Sequence, residues 1–358
     1  MASDRPASRA VCLVVPGPLE TATGGYLYDR RILAELEQSG WQTSVMELDA
    51  SFPRPGAAAL EEARSRFEAL PAGRLVIVDG LALSGLLPIL PSIVDRLSAV
   101  ALIHHPLADE TGIDARSAAQ FEAAETAALA LVPQVVVTSP WTRRRLADFG
   151  VEAERIAVIE PGVDRRRGRI DAVRSDTVRL LTVATVTPRK GHEILIAALA
   201  RLEDLPWSLR LAGGAQHDPE HADSIRAQVA RAGLTDRVAW LGELTSGRVF
   251  DEYAAADLFV LPSWLEGYGM ALAEAVAHGV PVISTTAGAI PDTVPAAAGR
   301  LVPPGDVDAL TVVLAELIGD RQARERLQQG ARDAADSVPT WAQSAGRFAD
   351  VLSGFEGR

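Results

Sequence analysis

Short apolar runs alternate with helical stretches along the whole chain, and this alternation constrains the fold more than any other feature. The first run is Ala10–Val15, and the pattern restarts at Val178–Val183 after the arginine-rich stretch Asp164–Ser175. Strands this short between helices are typical of parallel sheets that are covered on both faces. The sequence therefore predicts an α/β protein with two Rossmann-like, doubly wound parallel-sheet domains, formed by residues 1–166 and 167–340.

The composition is that of a globular protein. Of 358 residues, 48% are hydrophobic and 23% are charged, and a chain of this length can bury two cores. The net charge of -12 argues against a nucleic-acid partner, because nucleic-acid binders usually present a basic surface. The single cysteine, Cys12, lies in an apolar run and is expected to be a buried thiol.

Neither a signal peptide nor a membrane span is expected. Residues 1–9 are polar, and no stretch approaches the roughly 20 apolar residues that cross a bilayer. We expect a cytoplasmic protein, with peripheral contact at the inner face of a membrane as the open alternative. The run Arg165–Arg169 is interpreted first as a solvated linker and second as a contact for an anionic membrane surface.

One segment combines a strand, a glycine turn and a helix. Asp257–Ser263 is predicted to be a short buried strand, and Ala271–His278 a helix that begins just after two glycines. The amides and the positive dipole end of such a helix attract phosphate. Glu266 and Glu274 border the same spot, where their carboxylates can accept hydrogen bonds from hydroxyls. Phosphate and hydroxyls together suggest a sugar nucleotide as the ligand.

This segment resembles the signature of retaining glycosyltransferases with the GT-B fold, especially family 4, in which seven residues separate two glutamates. Val183–His192 is similar to the first strand and loop of that family's donor domain. Thr138–Leu146 and Val158–Asp164 are similar to its run into the interdomain linker. Gly24–Gly25 and His104–Pro106 match positions of its acceptor domain. The resemblance covers nearly the whole chain and implies the GT-B fold, in which two Rossmann-like, doubly wound parallel-sheet domains face a crevice.

The resemblance also implies a role for individual side chains. Lys190 would place an ammonium beside the diphosphate and stabilise the charge that develops as the nucleotide leaves. Glu266 would accept hydrogen bonds from hydroxyls of the donor sugar, and Glu274 from those of the ribose. His105 would contact the donor sugar or an acceptor hydroxyl, with His104 open as the alternative.

The chain departs from the family pattern at one phosphate contact. Thr185 stands five residues before the lysine, where the family usually carries an arginine, and this puts the strength of diphosphate binding in question. Arg189 could substitute, but neighbouring side chains on an extended chain point in opposite directions. Gly24 and Gly25 are expected to lie in a flexible loop that closes over the diphosphate.

The predicted site therefore draws on both domains. Amides of Gly269–Leu272 would donate to phosphate, Leu241 and Gly242 would border the base, and a last helix in residues 341–358 would pack back on the first domain. The predicted catalytic residues are Lys190, Glu266 and His105. The predicted donor-binding residues are Gly24, Gly25, Thr185, Arg189, Lys190, Leu241, Gly242, Glu266, Gly267, Tyr268, Gly269, Met270, Ala271, Leu272 and Glu274.

We therefore expect metal-independent, retaining transfer of a hexose or N-acetylhexosamine from a nucleotide diphosphate sugar, with a UDP-sugar favoured, to an acceptor hydroxyl. No cofactor is expected, and neither His104 nor His105 has metal-ligand partners at a suitable sequence spacing. The acceptor is open among small molecules, glycans and lipid-linked compounds. A sugar-nucleotide epimerase and a non-catalytic transferase-like partner subunit are the alternatives that keep the fold. A nicotinamide-dependent dehydrogenase is disfavoured, because no G-x-G-x-x-G follows either domain's first strand.

Overall fold

The structure, a computed structural model, describes residues 9–21, 23–165 and 176–355. The chain divides into two compact units, Met1–Gly162 with Thr340–Arg358 and Val163–Pro339. The predicted boundary between residues 166 and 167 lies outside the described residues, as does the predicted linker run apart from Arg165.

In the described residues, each unit contains a six-stranded parallel sheet, and the prediction of two doubly wound α/β domains is confirmed. The strands are β1 (Ala10–Pro16), β2 (Gln42–Leu48), β3 (Leu75–Asp79), β4 (Ser98–Ile103), β5 (Gln134–Val137), β6 (Ile156–Val158), β7 (Val178–Val183), β8 (Trp207–Ala212), β9 (Val238–Gly242), β10 (Leu258–Val260), β11 (Val282–Thr285) and β12 (Gly299–Val302). The strand order is β2-β1-β3-β4-β5-β6 in the first sheet and β12-β11-β10-β7-β8-β9 in the second.

Helices alternate with these strands along the chain. They are α1 (Gly24–Gln38), α2 (Ala57–Glu68), α3 (Gly80–Leu83), α4 (Leu90–Arg96), α5 (Ala115–Leu131), α6 (Pro140–Leu146), α7 (His192–Leu199), α8 (Pro219–Arg231), α9 (Ser246–Ala255), α10 (Met270–Ala277), α11 (Ile290–Thr293), α12 (Val307–Gly319), α13 (Arg321–Ala334) and α14 (Trp341–Ser353). None of the described helices is long and apolar enough to cross a membrane.

The central strands are apolar on both sides because both faces of a parallel sheet are covered. Every residue of β3 is buried, as is every residue of β10. Cys12 in β1 is also buried, as expected, and burial raises the pKa of its thiol. Helix α2 was not predicted from the sequence, because its apolar periodicity is weak and only Ala63 and Phe67 in it are buried.

The last helix, α14, belongs to the first unit although it follows the second in sequence. The ring centroids of Trp341 and Tyr28 in α1 lie 6.0 Å apart, and the guanidinium of Arg31 lies 5.2 Å from the Trp341 ring centroid. The Ser344 hydroxyl donates to the carbonyl of Glu160 at 2.7 Å. These contacts give the C-terminal segment an apolar and a polar attachment to the first unit.

Phe348→Ala is expected to destabilise the first unit by about 3–5 kcal/mol, the cost of emptying a buried aromatic site. Phe348 in α14 is 0% exposed, so the cavity would lie inside the protein. Urea unfolding of the full chain measures the change. The control is Arg347→Ala on the exposed side of the same helix, with an expected change within about 0.5 kcal/mol. A change for Phe348→Ala as small as that expected for Arg347→Ala would show that α14 contributes little to the core.

Candidate functional site

The predicted strand, turn and helix of the second unit lie at the carboxyl end of β10. Gly269 precedes α10 with a φ of +92°, a left-handed conformation that side chains with a Cβ rarely adopt. A Cβ there would also lie 2.7 Å from Cδ1 of Leu272. Backbone geometry and close packing therefore both favour glycine at position 269.

The helix α10 starts directly after this glycine. The first amides of an α-helix have no carbonyl partner inside the helix, so those of Gly269, Met270 and Ala271 suit an anion. Leu272 does not fit the prediction, because its N–H already donates to the carbonyl of Gly269 at 2.9 Å. The N–H of Leu272 is thus used by a hydrogen bond within the first turn of the helix and is not one of the amides that suit an anion.

Lys190 and Glu266 form an ion pair at this edge of the sheet. Lys190 Nζ donates to Glu266 Oε1 at 2.6 Å, and the Ser263 hydroxyl donates to the same oxygen at 2.7 Å. The Lys190 and Glu266 side chains are 14% and 7% exposed. Lys190 is also the only lysine in the chain. The carboxylate is thus held by hydrogen bonds in one orientation.

Arg189 joins the same cluster, contrary to the expectation that it would point away from Lys190. Pro188–Lys190 forms a turn of 3-10 helix instead of an extended strand, so both side chains reach Glu266. Arg189 Nη1 lies 3.5 Å from Glu266 Oε2 and donates to the carbonyl of Leu265 at 2.9 Å. The N–H of Trp264 donates to the carbonyl of Arg189 at 2.8 Å and ties the two loops together.

The cluster keeps Glu266 ionised. Burial raises the pKa of this carboxyl, but the charges of Lys190 and Arg189 and the hydrogen bonds from Lys190 and Ser263 outweigh it. The net result is a pKa below the usual value of 4.5. At neutral pH the group is therefore a carboxylate that accepts hydrogen bonds and cannot donate one.

The second motif glutamate is held by a residue that sequence reasoning missed. The hydroxyl of Tyr253 in α9 lies 3.0 Å from Glu274 Oε2 and 3.0 Å from the carbonyl of Ala271. Burial and the charge of Glu274 raise the pKa of Tyr253, so the hydroxyl stays protonated and donates. A tyrosine this far from the motif in sequence carried no signal of this contact.

The remaining residues predicted in this unit fall on the same edge of the sheet. Thr185 follows β7 and is half-buried, and Leu241 and Gly242 end β9. Gly242 is exposed, and its carbonyl accepts a hydrogen bond from the N–H of Gly213 at 2.8 Å. Gly267 and Tyr268 are buried in the turn before α10. Because all six strands are parallel, these segments meet where an open α/β sheet binds ligands.

In the first unit, the prediction that Gly24 and Gly25 form a flexible loop is wrong. They open α1, and the side chain of Thr23 caps this helix by accepting from the N–H of Tyr26. A Cβ on Gly25 would lie 3.2 Å from Cδ2 of His104. Close packing on that ring, not flexibility, explains the glycine.

The two adjacent histidines have different partners. His105 Nε2 lies 3.0 Å from Glu110 Oε2. His104 Nε2 lies 3.3 Å from Asp29 Oδ1 in α1 and 3.6 Å from Asp79 Oδ2 at the end of β3. Sequence reasoning missed both aspartates because they are distant in sequence from the histidine; the position of Asp79 at the end of a predicted strand was the one available signal.

Buried charge dominates the surroundings of His104. Burial lowers the pKa of the imidazole, but Asp29 and Asp79 outweigh it and raise the pKa to about 10. Burial raises the pKa of Asp29 to about 6 against the opposing charge of His104. Among the described histidine, cysteine and acidic residues, these three bring their ligand atoms within 4.8 Å of one another, close enough to share a cation.

Comparison with known proteins assigns the family. Residues 168–334 match the model for glycosyl transferases group 1, and residues 82–167 match the model for glycosyltransferase family 4. The chain belongs to these glycosyltransferases. Its two sheets accordingly have the GT-B fold, as the resemblance implied.

Curated relatives of this glycosyltransferase include mannosyltransferases. The MMP alpha-(1->4)-mannosyltransferase of Mycolicibacterium hassiacum is 28% identical over 324 residues, which cover 84% of this chain and 75% of that protein. A GDP-mannose-dependent alpha-(1-6)-phosphatidylinositol monomannoside mannosyltransferase of Mycobacterium tuberculosis is 28% identical over 240 residues, 62% of this chain and 61% of that protein. The matched region of the glycosyltransferase thus spans less than two thirds of the second relative.

A solved structure has the same fold over nearly the full length of this glycosyltransferase. The sucrose-phosphate synthase from Thermosynechococcus elongatus superposes with a TM-score of 0.82 at 21% sequence identity, covering 97% of this chain and 99% of that one. At this level of sequence identity the comparison shows a shared fold and does not assign an activity.

Proposed function

We propose that this glycosyltransferase moves a hexose from a nucleoside diphosphate sugar to an acceptor hydroxyl, with retention of configuration and without a metal ion. The observation that carries the proposal is the Lys190–Glu266 pair at 2.6 Å, on the sheet edge where α10 begins. An ammonium and helix amides suit a diphosphate, and an ionised glutamate suits sugar hydroxyls. Lys190 and the first amides of α10 would stabilise the charge that develops on the leaving diphosphate.

The proposed chemistry is attack from the face that the diphosphate leaves. The acceptor oxygen forms a bond to the anomeric carbon while the bond from that carbon to the phosphate oxygen breaks. The proton of the acceptor hydroxyl passes to the departing phosphate oxygen. Glu266 is engaged by Lys190 and Ser263 and would orient donor hydroxyls instead of forming a covalent intermediate. Glu274, held by Tyr253, would accept from the ribose.

For the donor, we propose GDP-mannose ahead of the UDP-sugar that the sequence favoured. The support is the mannosyltransferase of Mycobacterium tuberculosis, which is named as GDP-mannose-dependent. No side chain at Leu241 or Gly242 distinguishes the bases, because this region would read them through its backbone. The acceptor is proposed only as a hydroxyl compound.

A thermal-shift series tests this function. GDP, UDP, ADP, TDP and their common sugars are added to the full chain, because a ligand that binds only the folded state raises its apparent stability. We expect one nucleoside diphosphate and its sugar to raise the apparent free energy of unfolding. The increase should be about 2.7 kcal/mol when the ligand concentration is 100 times Kd. Release of that diphosphate in the presence of an acceptor then measures transfer. If no nucleotide shifts the protein, the non-catalytic partner subunit replaces this proposal.

A further inference from the structure

A buried cluster of charge in the first unit has no part in the transfer chemistry proposed above. The side chains of Asp29 and Asp79 are 0% and 1% exposed, whereas that of His104 is 19% exposed. Both carboxylate oxygens of Asp29 and Oδ2 of Asp79 have no well-aligned hydrogen-bond donor in the described residues. The imidazole is therefore the member of the cluster that reaches the surface.

The orientation of the His104 ring is fixed from several sides. Nε2 is buried and lies within ion-pair distance of both aspartates. The ring of Tyr28 meets it edge-on at a centroid distance of 5.4 Å. The Cα of Gly25 leaves so little room that a Cβ would lie 3.3 Å from Nε2. Nε2 is among the buried side-chain atoms that lack a well-aligned hydrogen-bond partner in the described residues, and Nδ1 is not. Because Nε2 faces the two aspartates, Nδ1 is the ring nitrogen that can face a ligand.

We propose that Asp29 and Asp79 are positioning residues that hold His104 as an imidazolium whose Nδ1–H donates to a substrate oxygen. That oxygen is a hydroxyl or phosphate oxygen of the nucleotide sugar or of the acceptor. A neutral imidazole would leave two buried carboxylates with no compensating charge, which is costly. The two carboxylates therefore favour the protonated, positively charged form of the His104 imidazole. The kinetic part of this proposal rests on the proposed function.

Two tyrosines of α1 also lie near this cluster and do not supply a competing charge. Tyr28 contacts the ring, and Tyr26 on the same helix faces both aspartates. Burial, together with the aspartate charges, raises the pKa of both tyrosines, so they are neutral at physiological pH. The charge state of His104 therefore depends on Asp29 and Asp79.

The sign of the pH effect follows from these surroundings. With a pKa of about 10, wild-type His104 stays charged up to pH 9. Asp29→Asn removes the largest influence that raises the pKa while burial, which lowers it, remains. The pKa then falls from about 10 toward the ordinary value of about 6.5, so the charged fraction of the ring at pH 8 falls with it.

Rate profiles of the full chain between pH 6 and pH 9 test the proposal. The wild type should lose no activity through this group across that range. Asp29→Asn should lower kcat/KM at least about 10-fold at pH 8 and recover toward pH 6, because protonation restores the donor. Asp79→Asn leaves the stronger influence of Asp29 in place and should show a smaller loss with the same pH dependence. A rise in KM for the nucleotide sugar or for the acceptor identifies which substrate receives the hydrogen bond. Asp148→Asn, in an ion pair whose aspartate is 68% exposed, is the control and should keep the wild-type profile.

A purely structural role would lower activity equally at every pH, and that result would overturn the proposal. Full activity and a flat profile in both variants would overturn it as well. If the variants do not fold or no donor is found, nuclear magnetic resonance of histidine-labelled wild-type protein measures the charge state of His104 directly. The His104 signal, identified by its loss in His104→Gln, should not titrate between pH 5 and pH 9. Titration near 6.5, or a stoichiometric divalent ion that a chelator removes from these three side chains, would show that the imidazole is not held charged by the aspartates.

Discussion

Replacing Lys190 by alanine is expected to lower the rate of glycosyl transfer at least about 100-fold while the protein still folds. The substitution removes the ammonium that would stabilise the leaving diphosphate, and it also removes the 2.6 Å hydrogen bond to Glu266. Arg189 and Ser263 still contact that glutamate, so the buried carboxylate keeps part of its compensation. Steady-state transfer and thermal unfolding of the same preparations measure the two effects separately.

The control for this substitution is Arg201→Ala, which removes one positive charge from an exposed ion pair with Asp308. Its rate should match that of the wild type, because exposed ion pairs contribute little and no predicted site residue is touched. Lys190→Arg should not restore the rate, since a planar guanidinium does not replace a compact ammonium. Wild-type activity in Lys190→Ala would remove the residue from the mechanism.

The composition of the chain offers a chemical test of the same residue. Because Lys190 is the only lysine, an amine reagent has one side-chain target and the chain's amino terminus. Reductive labelling with pyridoxal phosphate should inactivate the enzyme, and the nucleoside diphosphate found in the thermal-shift series should protect both activity and Lys190. Labelling of Lys190 that leaves transfer unchanged would contradict a role in binding the diphosphate.

The sequence predicted those parts of the site whose signals are local. Gly269 and α10 could be recognised because the turn and the helix are adjacent in the chain, and both glutamates fall inside that segment. The short apolar runs predicted parallel sheets, and the two six-stranded sheets of the described residues confirm the two doubly wound units. The spacing of residues in a sequence thus predicts their relative positions when the residues lie in a single turn and the helix that follows it.

Contacts between distant segments could not be predicted in this way. Asp29 and Asp79 reach His104 only because α1 and the ends of β3 and β4 meet in the folded sheet. Tyr253 reaches Glu274 from a different helix. No residue type marks such partners in advance, because buried acids and tyrosines have many structural roles.

Two errors of detail arose from assuming the wrong local backbone. An extended chain was assumed at Arg189, where a turn of 3-10 helix brings its side chain to the same carboxylate as its neighbour. A flexible loop was assumed at Gly24 and Gly25, where a capped helix begins instead. Paired glycines signal either flexibility or close packing, and only the neighbouring His104 ring distinguishes the two.

Glu266→Gln is expected to lower transfer at least about 100-fold, even though the side chain keeps its size. The amide is neutral, so Lys190 and Arg189 lose the charge that holds them, and the amide offers a single acceptor oxygen. The unfolding free energy should fall by about 1–3 kcal/mol, because a buried charged partner is lost while Lys190 can still turn toward water. Transfer assays and urea unfolding at pH 7 measure the two changes.

The pH dependence of this stability loss gives a second, independent readout. Glu266 has a folded-state pKa below its usual value of 4.5, so its contribution is present above that pH and is lost as the pH falls through the folded value. The difference in unfolding free energy between wild type and Glu266→Gln should therefore be largest near neutral pH and shrink below 4.5. A difference that does not change between pH 7 and pH 4 would mean that the loss comes from packing and not from charge.

A second buried glutamate with a cationic partner separates the effect on catalysis from the effect on stability. Glu252, 7% exposed, accepts a hydrogen bond from Arg210 at 2.6 Å, and neither residue belongs to the predicted site. Glu252→Gln should destabilise the second unit, by less than Glu266→Gln because the Arg210 side chain is 38% exposed, and should leave the transfer rate per folded molecule unchanged. A large rate loss in Glu266→Gln without one in Glu252→Gln assigns the effect to the position of the carboxylate beside Lys190. Equal rate losses in both would instead mean that any weakened ion pair in this unit impairs transfer, and Glu266 would lose its proposed contact with the donor.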